Sequence, residues 1–273
     1  MERLLVFRLE AVGCSAEAVL NGIPLLRVGG EQMLASLPVH EFTLAGGNEI
    51  ELIINPPVLG AQAAGAAEAE AAGGEPHLSD GKVGASLRLL LPRVGAVAHP
   101  AQARTLASLD WAPAANELYR SPLRLQQWVD LPIAFPRWRW LDAPVLTLSD
   151  ALKDELAAYL LKIALGLTKG DAEPLIQASR LRLEELAQAY QRSLPADVSR
   201  LRGHIQQLHA AQALKPSLPT PAKLLLRAVA GGRLLECLAP DGLPLLRSPC
   251  AGGGQMMWPL RVSAIGGEFY VLR

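Results

Sequence analysis

Histidine, cysteine and acidic side chains carry most metal binding and catalysis in proteins, and in this sequence they are scattered. The closest pair of histidines, His204 and His209, lies five positions apart in a segment with helical periodicity. Two residues of one helix bind a shared metal ion when they are three or four positions apart, so these two point in different directions. The other histidines have no clustered carboxylates near them. We therefore expect no metal site, no cofactor and no catalytic residue.

The three cysteines, Cys14, Cys237 and Cys250, also lack the spacing of a reactive or metal-binding group. Their odd number, wide separation and lack of a C-x-x-C pattern argue against a disulfide framework and a zinc site. We expect small buried side chains in a reducing compartment, with pairing of Cys237 and Cys250 across a hairpin as the alternative. Residues 3–10 alternate apolar and charged side chains, unlike a signal peptide, so we predict a cytoplasmic protein.

The most distinctive local pattern is an alternation of arginine and tryptophan at residues 137–140. On a β-strand this alternation places both indoles on one face and both guanidinium groups on the other. A buried indole face would fill the junction between two domains, which we favour because large aromatic side chains are mostly buried. An exposed indole face would instead form a platform for a sugar or a protein partner. The residues concerned are Arg137, Trp138, Arg139 and Trp140.

The composition limits the classes of partner. Half of the 273 residues are hydrophobic, which excludes a wholly disordered chain. The formal net charge is zero, whereas nucleic-acid binding requires an excess of basic groups to displace counterions. No apolar run is long enough to span a membrane. Basic residues are mostly Arg, and Ala, Gly and Pro are abundant, which indicates a bacterial source with a GC-rich genome. We predict neither nucleic-acid nor membrane binding.

The first part of the chain has the patterns of antiparallel strands. Residues 1–57 contain apolar alternation and an Asn21-Gly22 pair between two apolar runs, a strong hairpin signal. Residues 58–81 are rich in Ala, Gly and Glu and predict a mobile loop. Strand patterns return at residues 82–91 and 123–131.

The segments AVLNGIPLL (residues 18–26) and FTLAGGNEIELII (residues 42–54) resemble the jelly-roll β-sandwich of carbohydrate-binding and galactose-binding-like modules. The similarity covers about the first sixth of the chain and concerns turns that build the fold, such as the corner at Asn48. It implies a β-sandwich and assigns no ligand-binding residue.

From residue 148 the pattern becomes helical. Apolar residues recur on one helical face, and Ser149 or Asp150 is placed to cap the first helix. A second helix is predicted after Asp171 and a third from about Asp197. Prolines after residue 215 end the helical region, and the last fifty residues alternate strands with glycine-containing turns. The apolar residues of the first helix are Leu152, Leu156, Tyr159, Leu160, Ile163 and Leu167.

This second part resembles the ketosteroid-isomerase-like α+β cone through Tyr159, LTKGDAEPL (residues 167–175) and PLRVSAIGGEFYVLR (residues 259–273). The resemblance implies a cone-shaped cavity in which a tyrosine of the first helix helps to hold an oxyanion. The acidic base that such enzymes carry after the second helix has no counterpart here, because Gln191, Arg192 and Ser193 follow Tyr190.

Taken together, the patterns predict an α+β protein with an N-terminal antiparallel β-sandwich and a C-terminal domain of about three helices packed on an antiparallel sheet. The predicted domains are residues 1–145, which include the loop at 58–81, and residues 146–273, with helices within 149–214 and strands within 222–272. The leading hypothesis is a non-enzymatic bacterial accessory protein that binds another protein.

Two alternatives remain. One is small-molecule binding or isomerase-like catalysis in a cavity of the second domain, and the other is carbohydrate binding by the sandwich through Trp138 and Trp140. The residues that we predict to line the cavity are Tyr159, Tyr190, His204 and Trp258.

Overall fold

A computed structural model describes the chain in five stretches. The chain divides into two compact units, with the boundary between Phe135 and Pro136. The sequence had predicted a boundary between residues 145 and 146. Within the described residues the protein is mixed α+β, with four α-helices, sixteen β-strands and only antiparallel strand pairing. All four helices belong to the second unit, as predicted. The described residues are 5–55, 75–93, 98–131, 136–250 and 254–273.

The first unit is a β-sandwich of two four-stranded antiparallel sheets with the orders β4-β1-β7-β8 and β10-β5-β2-β3. A two-stranded ribbon, β6-β9, accompanies them. The inward positions carry fully buried side chains such as Phe7, Leu52 and Leu87. The strands are β1 (Val6–Val12), β2 (Ala16–Leu20), β3 (Ile23–Val28), β4 (Leu34–Pro38), β5 (Gly46–Ile54), β6 (Glu75–Leu78), β7 (Gly84–Pro92), β8 (Ala103–Trp111), β9 (Leu118–Ser121) and β10 (Leu123–Leu131).

The hairpin between β2 and β3 follows the predicted Asn-Gly turn. Asn21 and Gly22 both have positive φ, at 52° and 74°, as the tight hairpin turn requires. The side chain of Asn21 donates to Phe42 O and to Asn48 Oδ1, at 2.9 Å each. Asn48 is fully buried and donates to Leu44 O and Gly46 O, which holds the corner before β5.

The segment predicted as a mobile loop is described only in part. Residues 58–74 lie outside the described residues. Glu75–Leu78 form strand β6, which pairs with β9. Local side-chain contacts fix this pairing, because the imidazole of His77 stacks on Tyr119 and its Nε2 lies 2.7 Å from Ser121 Oγ.

The second unit packs helices on an antiparallel sheet with the order β11-β12-β15-β16, and β13 and β14 form a separate hairpin. The predicted second helix is two helices that meet at Ser179. The apolar run from Gln255 to Ile265 forms two strands interrupted at Pro259, each with its own partner. The elements are α1 (Asp150–Thr168), α2 (Glu173–Ala178), α3 (Arg180–Ala189), α4 (Leu194–Ala210), β11 (Leu225–Val229), β12 (Leu234–Leu238), β13 (Leu246–Pro249), β14 (Gln255–Trp258), β15 (Arg261–Ile265) and β16 (Glu268–Val271).

Helix α1 supplies the largest share of the second core. Ser149 Oγ accepts the Leu152 N–H at 3.2 Å and caps its start, as predicted. Helix α4 begins at Leu194, earlier than predicted, because Ser193 Oγ caps it by accepting the Ala196 N–H at 3.4 Å. No helix among the described residues combines the length and apolar character that a membrane span needs. The buried face of α1 includes Leu156, Ala157, Leu160, Ile163, Ala164 and Leu167, which join Leu235, Val262 and Val271 of the sheet in one cluster.

Candidate functional site

The arginine–tryptophan segment does not form a strand, the conformation in which its alternation was interpreted. Trp138 is extended, and a 3-10 helix then runs from Arg139 to Asp142. Both indoles are nonetheless buried, with Trp138 1% and Trp140 3% exposed. Rings without solvent access offer no platform for a sugar or a protein. The outward group of the segment is Arg137, whose guanidinium makes a two-pronged ion pair with Asp142 at 2.8–3.1 Å.

A buried charge network explains why this segment is not a strand. The backbone N–H of Arg139 donates to the carboxylate of Glu185 in α3, so that group is bonded to a side chain instead of a neighbouring strand. The other oxygen of Glu185 accepts from Arg273 Nη1 at 3.0 Å. The guanidinium of Arg273 lies 4.5 Å from the ring centroid of Trp138. Arg139 also pairs with Glu184 at 2.8 Å. The network therefore engages the ring of Trp138 and the backbone of Arg139 inside the second unit.

Tyr159 lines a cavity of about 460 Å³ between α1, α2 and β16. Its ring lies 5.7 Å from that of Phe269, centroid to centroid. Its hydroxyl oxygen is buried and has no hydrogen-bond partner among the described residues. Burial raises the pKa of Tyr159 far above its usual value, and Tyr270 and Cys237 raise it further. A ligand in the cavity therefore contacts the tyrosine ring, while the hydroxyl that an oxyanion needs is not accessible to it.

The rim of the same cavity carries charged groups. Arg180 Nη2 donates to the Tyr270 hydroxyl at 2.5 Å, and that hydroxyl donates to Glu268. The Arg180 guanidinium also lies 4.9 Å from the centroid of the Tyr270 ring. Lys162 is a further lining residue from α1. The cavity can hold a small molecule with an apolar body, because Ile163, Phe269 and the tyrosine ring form its walls.

The structure does not bring the other predicted cavity residues to Tyr159. Tyr190 follows α3, and its ring lies 4.7 Å from the guanidinium of Arg192. His204 lines a different cleft, of about 370 Å³, between α3 and α4. Trp258 ends β14 and packs partly buried against the hydrophobic core. The four residues therefore occupy separate places within the second unit.

The other nucleophilic and metal-binding side chains that the structure describes form no reactive cluster either. No three metal-binding side chains lie together within the stretches of chain that the structure covers. The three cysteines are free, with Cys237 buried and Cys250 exposed. His77 and Ser121 form a hydrogen-bonded pair on the β6-β9 ribbon, which resembles a base and nucleophile. No described carboxylate orients the imidazole, and its stacking on Tyr119 gives it a structural role.

Among the described residues, Trp128 is a large aromatic side chain that is 69% exposed. It lies on β10, where odd positions point inward and even positions point outward. Its register partner on β5 is Glu49, and Gln126 and Asp130 face Glu51 and Gly47. We call this surface the Trp128 face, defined by Glu49, Glu51, Arg124, Gln126, Trp128 and Asp130.

Trp128 was not among the residues predicted from the sequence, although a signal was present. Residues 123–131 alternate imperfectly, because Gln127 occupies an inward position and Trp128 an outward one. The signal was an aromatic residue, Trp128, at an outward position whose neighbours along the strand, Arg124 and Gln126, are polar. Leu78 and Leu118 are also exposed, and they lie opposite each other on the β6-β9 ribbon.

Comparisons with known proteins add no assignment: no protein-family model matches the sequence, and searches of curated proteins and of solved structures returned no match.

Proposed function

We propose that the protein acts by binding another protein, with the Trp128 face as the contact surface. The observation that carries this proposal is the exposed indole of Trp128 on the outward side of a regular strand. Tryptophan is the residue type most enriched among those that dominate the energy of protein interfaces, and burying one against a partner removes a large apolar area from water.

The placement of the indole supports a binding role. A sheet holds its side chains more rigidly than a loop does, so less conformational entropy is lost when a partner binds. The indole leans over β5, where its ring atoms lie 3.8–3.9 Å from the position of a Cβ on Gly47. A small residue at this position lets the ring lie close to the sheet and keeps one of its faces open.

We place this activity in the bacterial cytoplasm. The three free cysteines support a reducing compartment. Arginine in preference to lysine, with abundant alanine and glycine, supports a bacterial source with a GC-rich genome.

A photo-crosslinking experiment tests the proposal. Gln126, which is exposed beside Trp128, is replaced by a photo-reactive amino acid in the full chain, and the protein is irradiated in cells of its host. A matched probe at Glu31, exposed in the turn after β3, reports background. We expect one protein to be crosslinked from position 126 and lost when Trp128→Ala is added. Identical products from both probes, or products unaffected by Trp128→Ala, would refute the proposal.

A second candidate function is small-molecule binding in the cavity beside Tyr159. It is favoured by the 460 Å³ volume and by walls from three elements. A ligand-detected NMR screen of aromatic and aliphatic fragments tests it, with Gln177→Trp as the control, because this exposed lining residue can fill the cavity without disturbing the core. Fragments that bind the wild type and not this variant support the idea, and an empty screen rejects it.

A further inference from the structure

We infer that the Trp128 face binds a positively charged segment of the partner protein, with a Lys or Arg side chain seated on the indole. This inference rests on the proposed function and names the chemistry of the partner. It depends on the charges around Trp128, on the position of its ring and on the pairing of the basic groups that the structure describes on the same side of the sheet.

The acidic groups of the face are only partly neutralised. Glu51 Oε1 accepts from Arg124 Nη1 at 3.0 Å, so this pair carries no net charge. Glu49, opposite Trp128, and Asp130, two positions further along β10, form no ion pair within the described residues. Their carboxylates leave the face with two uncompensated negative charges. A partner of opposite charge is therefore attracted, and one of like charge is repelled.

The geometry suits a cation on the ring. Glu49 lies directly across from Trp128, where opposed Cβ atoms of antiparallel strands are about 5 Å apart. Asp130 lies on the same side of the sheet, and its Oδ1 is 3.7 Å from the Cβ position of Gly46. The indole is thus flanked by carboxylates on both strands. The face of an indole attracts Lys and Arg, and Arg adds hydrogen bonds to neighbouring carboxylates.

Neighbouring basic groups do not compete for this position. Arg124 is held by Glu51, and on the outward side of the same sheet Arg27 lies 3.7 Å from Glu17. The outward side of this sheet therefore has paired charges away from Trp128 and unpaired acids beside it. A basic segment is the occupant that the face favours over an acidic segment or an uncharged sugar.

Fluorescence anisotropy with defined peptides tests the inference. The probes are fluorescein-labelled peptides of alternating Arg and Ser, and matched peptides with Gln or Glu in place of Arg. At about 50 mM salt, where screening is weak, we expect the Arg peptide to bind the full-length protein at least about tenfold more tightly than the Gln peptide. Trp128→Ala, Glu49→Gln and Asp130→Asn should each remove most of this preference. Glu31→Gln, which removes an acid at the opposite edge of the sheet, should leave it intact.

The outcomes separate this inference from the proposed function. Equal affinity for the Arg and Gln peptides, or a preference that survives Glu49→Gln and Asp130→Asn, overturns the inference. If the crosslinked host protein still depends on Trp128 in that case, the proposed function stands and its partner is uncharged at the contact. Saturable binding of a neutral oligosaccharide that is lost in Trp128→Ala would assign the face to sugars and overturn both.

Discussion

Trp128 and Glu49 occupy directly opposite positions in the antiparallel register of β10 and β5, and both point away from the core of the sandwich. The pair brings a large aromatic surface and an unpaired carboxylate together at the surface of the protein. Trp128 is exposed and Glu49 is half-buried, so neither side chain belongs to the fully buried core. The binding hypothesis rests on this aromatic ring and carboxylate, which lie side by side outside the buried core.

Substitutions on this face should leave the fold intact. Trp128→Ala and Glu49→Gln should each change the free energy of unfolding by less than about 1 kcal/mol, because Trp128 is exposed and the half-buried Glu49 makes no ion pair among the described residues. Urea denaturation followed by far-UV circular dichroism measures this. A loss of several kcal/mol would show that the indole serves stability, and the case for a binding residue would then fail.

Breaking the buried Glu185–Arg273 ion pair should destabilise the fold, unlike the substitutions on the Trp128 face. Arg273→Ala leaves the Glu185 carboxylate buried without its cation, so we expect a loss of about 3–5 kcal/mol. Arg137→Ala is the matched control, because the Arg137–Asp142 pair is exposed and its loss should change stability far less than the loss of Arg273. Both are measured by chemical denaturation. Equal effects of the two substitutions would contradict the buried network.

Replacement of two helical glycines by alanine should change the stability of the protein in opposite directions. A Cβ at Gly166 in α1 would lie 2.8 Å from Pro174 Cγ and 2.9 Å from Asp171 O, so Gly166→Ala should destabilise the protein by about 1–3 kcal/mol. A Cβ at Gly203 in α4 meets no described atom within 4 Å. Gly203→Ala should therefore stabilise by about 0.5–1 kcal/mol through helix propensity. Thermal unfolding compares them, and the same sign for both would be evidence against the packing of α1 on α2.

Tyr159→Phe should stabilise the protein. The substitution removes a buried hydroxyl that has no partner among the described residues, which is worth about 1 kcal/mol at neutral pH. Because burial raises the pKa of Tyr159, the unfolded chain loses this proton at a lower pH than the folded one. Stability should thus fall as the pH rises above about 10, the usual tyrosine value, and fall less in the variant. Identical pH profiles of the two proteins would rule out a buried hydroxyl.

The cysteines should differ in reactivity. Cys250 is exposed and should be alkylated first by iodoacetamide at mildly alkaline pH. Cys14 should follow slowly, since partial burial raises its pKa. Burial raises the pKa of Cys237 to about 12, so its thiolate is scarce and it should react only on unfolding. Mass spectrometry of timed samples gives the order, and early labelling of Cys237 in the folded protein would contradict its place in the core.

Local patterns predicted the fold class well. The spacing of Leu156, Leu160 and Leu167 identified α1, and Asn21-Gly22 identified a hairpin, because periodicity and turn chemistry act over a few residues. The arginine–tryptophan alternation was interpreted as it would lie on a strand, but the segment forms no strand. Its conformation depends on Glu185, which is 46 positions from Arg139, and on Arg273, which is 88 positions from Glu185. No local sequence pattern predicts contacts over such separations.

The candidate site could be predicted only in part. Tyr159 was correctly placed on the first helix, but its hydroxyl direction depends on packing against β16. Trp128 was visible as one residue of a strand with Asp130 two positions further on, whereas Glu49 comes from β5, more than seventy positions earlier. The register between two distant strands creates the Trp128 face, so the sequence of either strand alone does not reveal it.

The most direct test of the account is calorimetric titration of the crosslinked host protein, once purified, into wild-type protein and two variants. We predict that Trp128→Ala weakens binding by at least about 30-fold, the loss of about 2 kcal/mol typical of a dominant interface tryptophan. Leu34→Ala, an exposed apolar residue on the other sheet, should bind as the wild type does. Equal dissociation constants for the wild type and Trp128→Ala would contradict the claim that this face binds the partner.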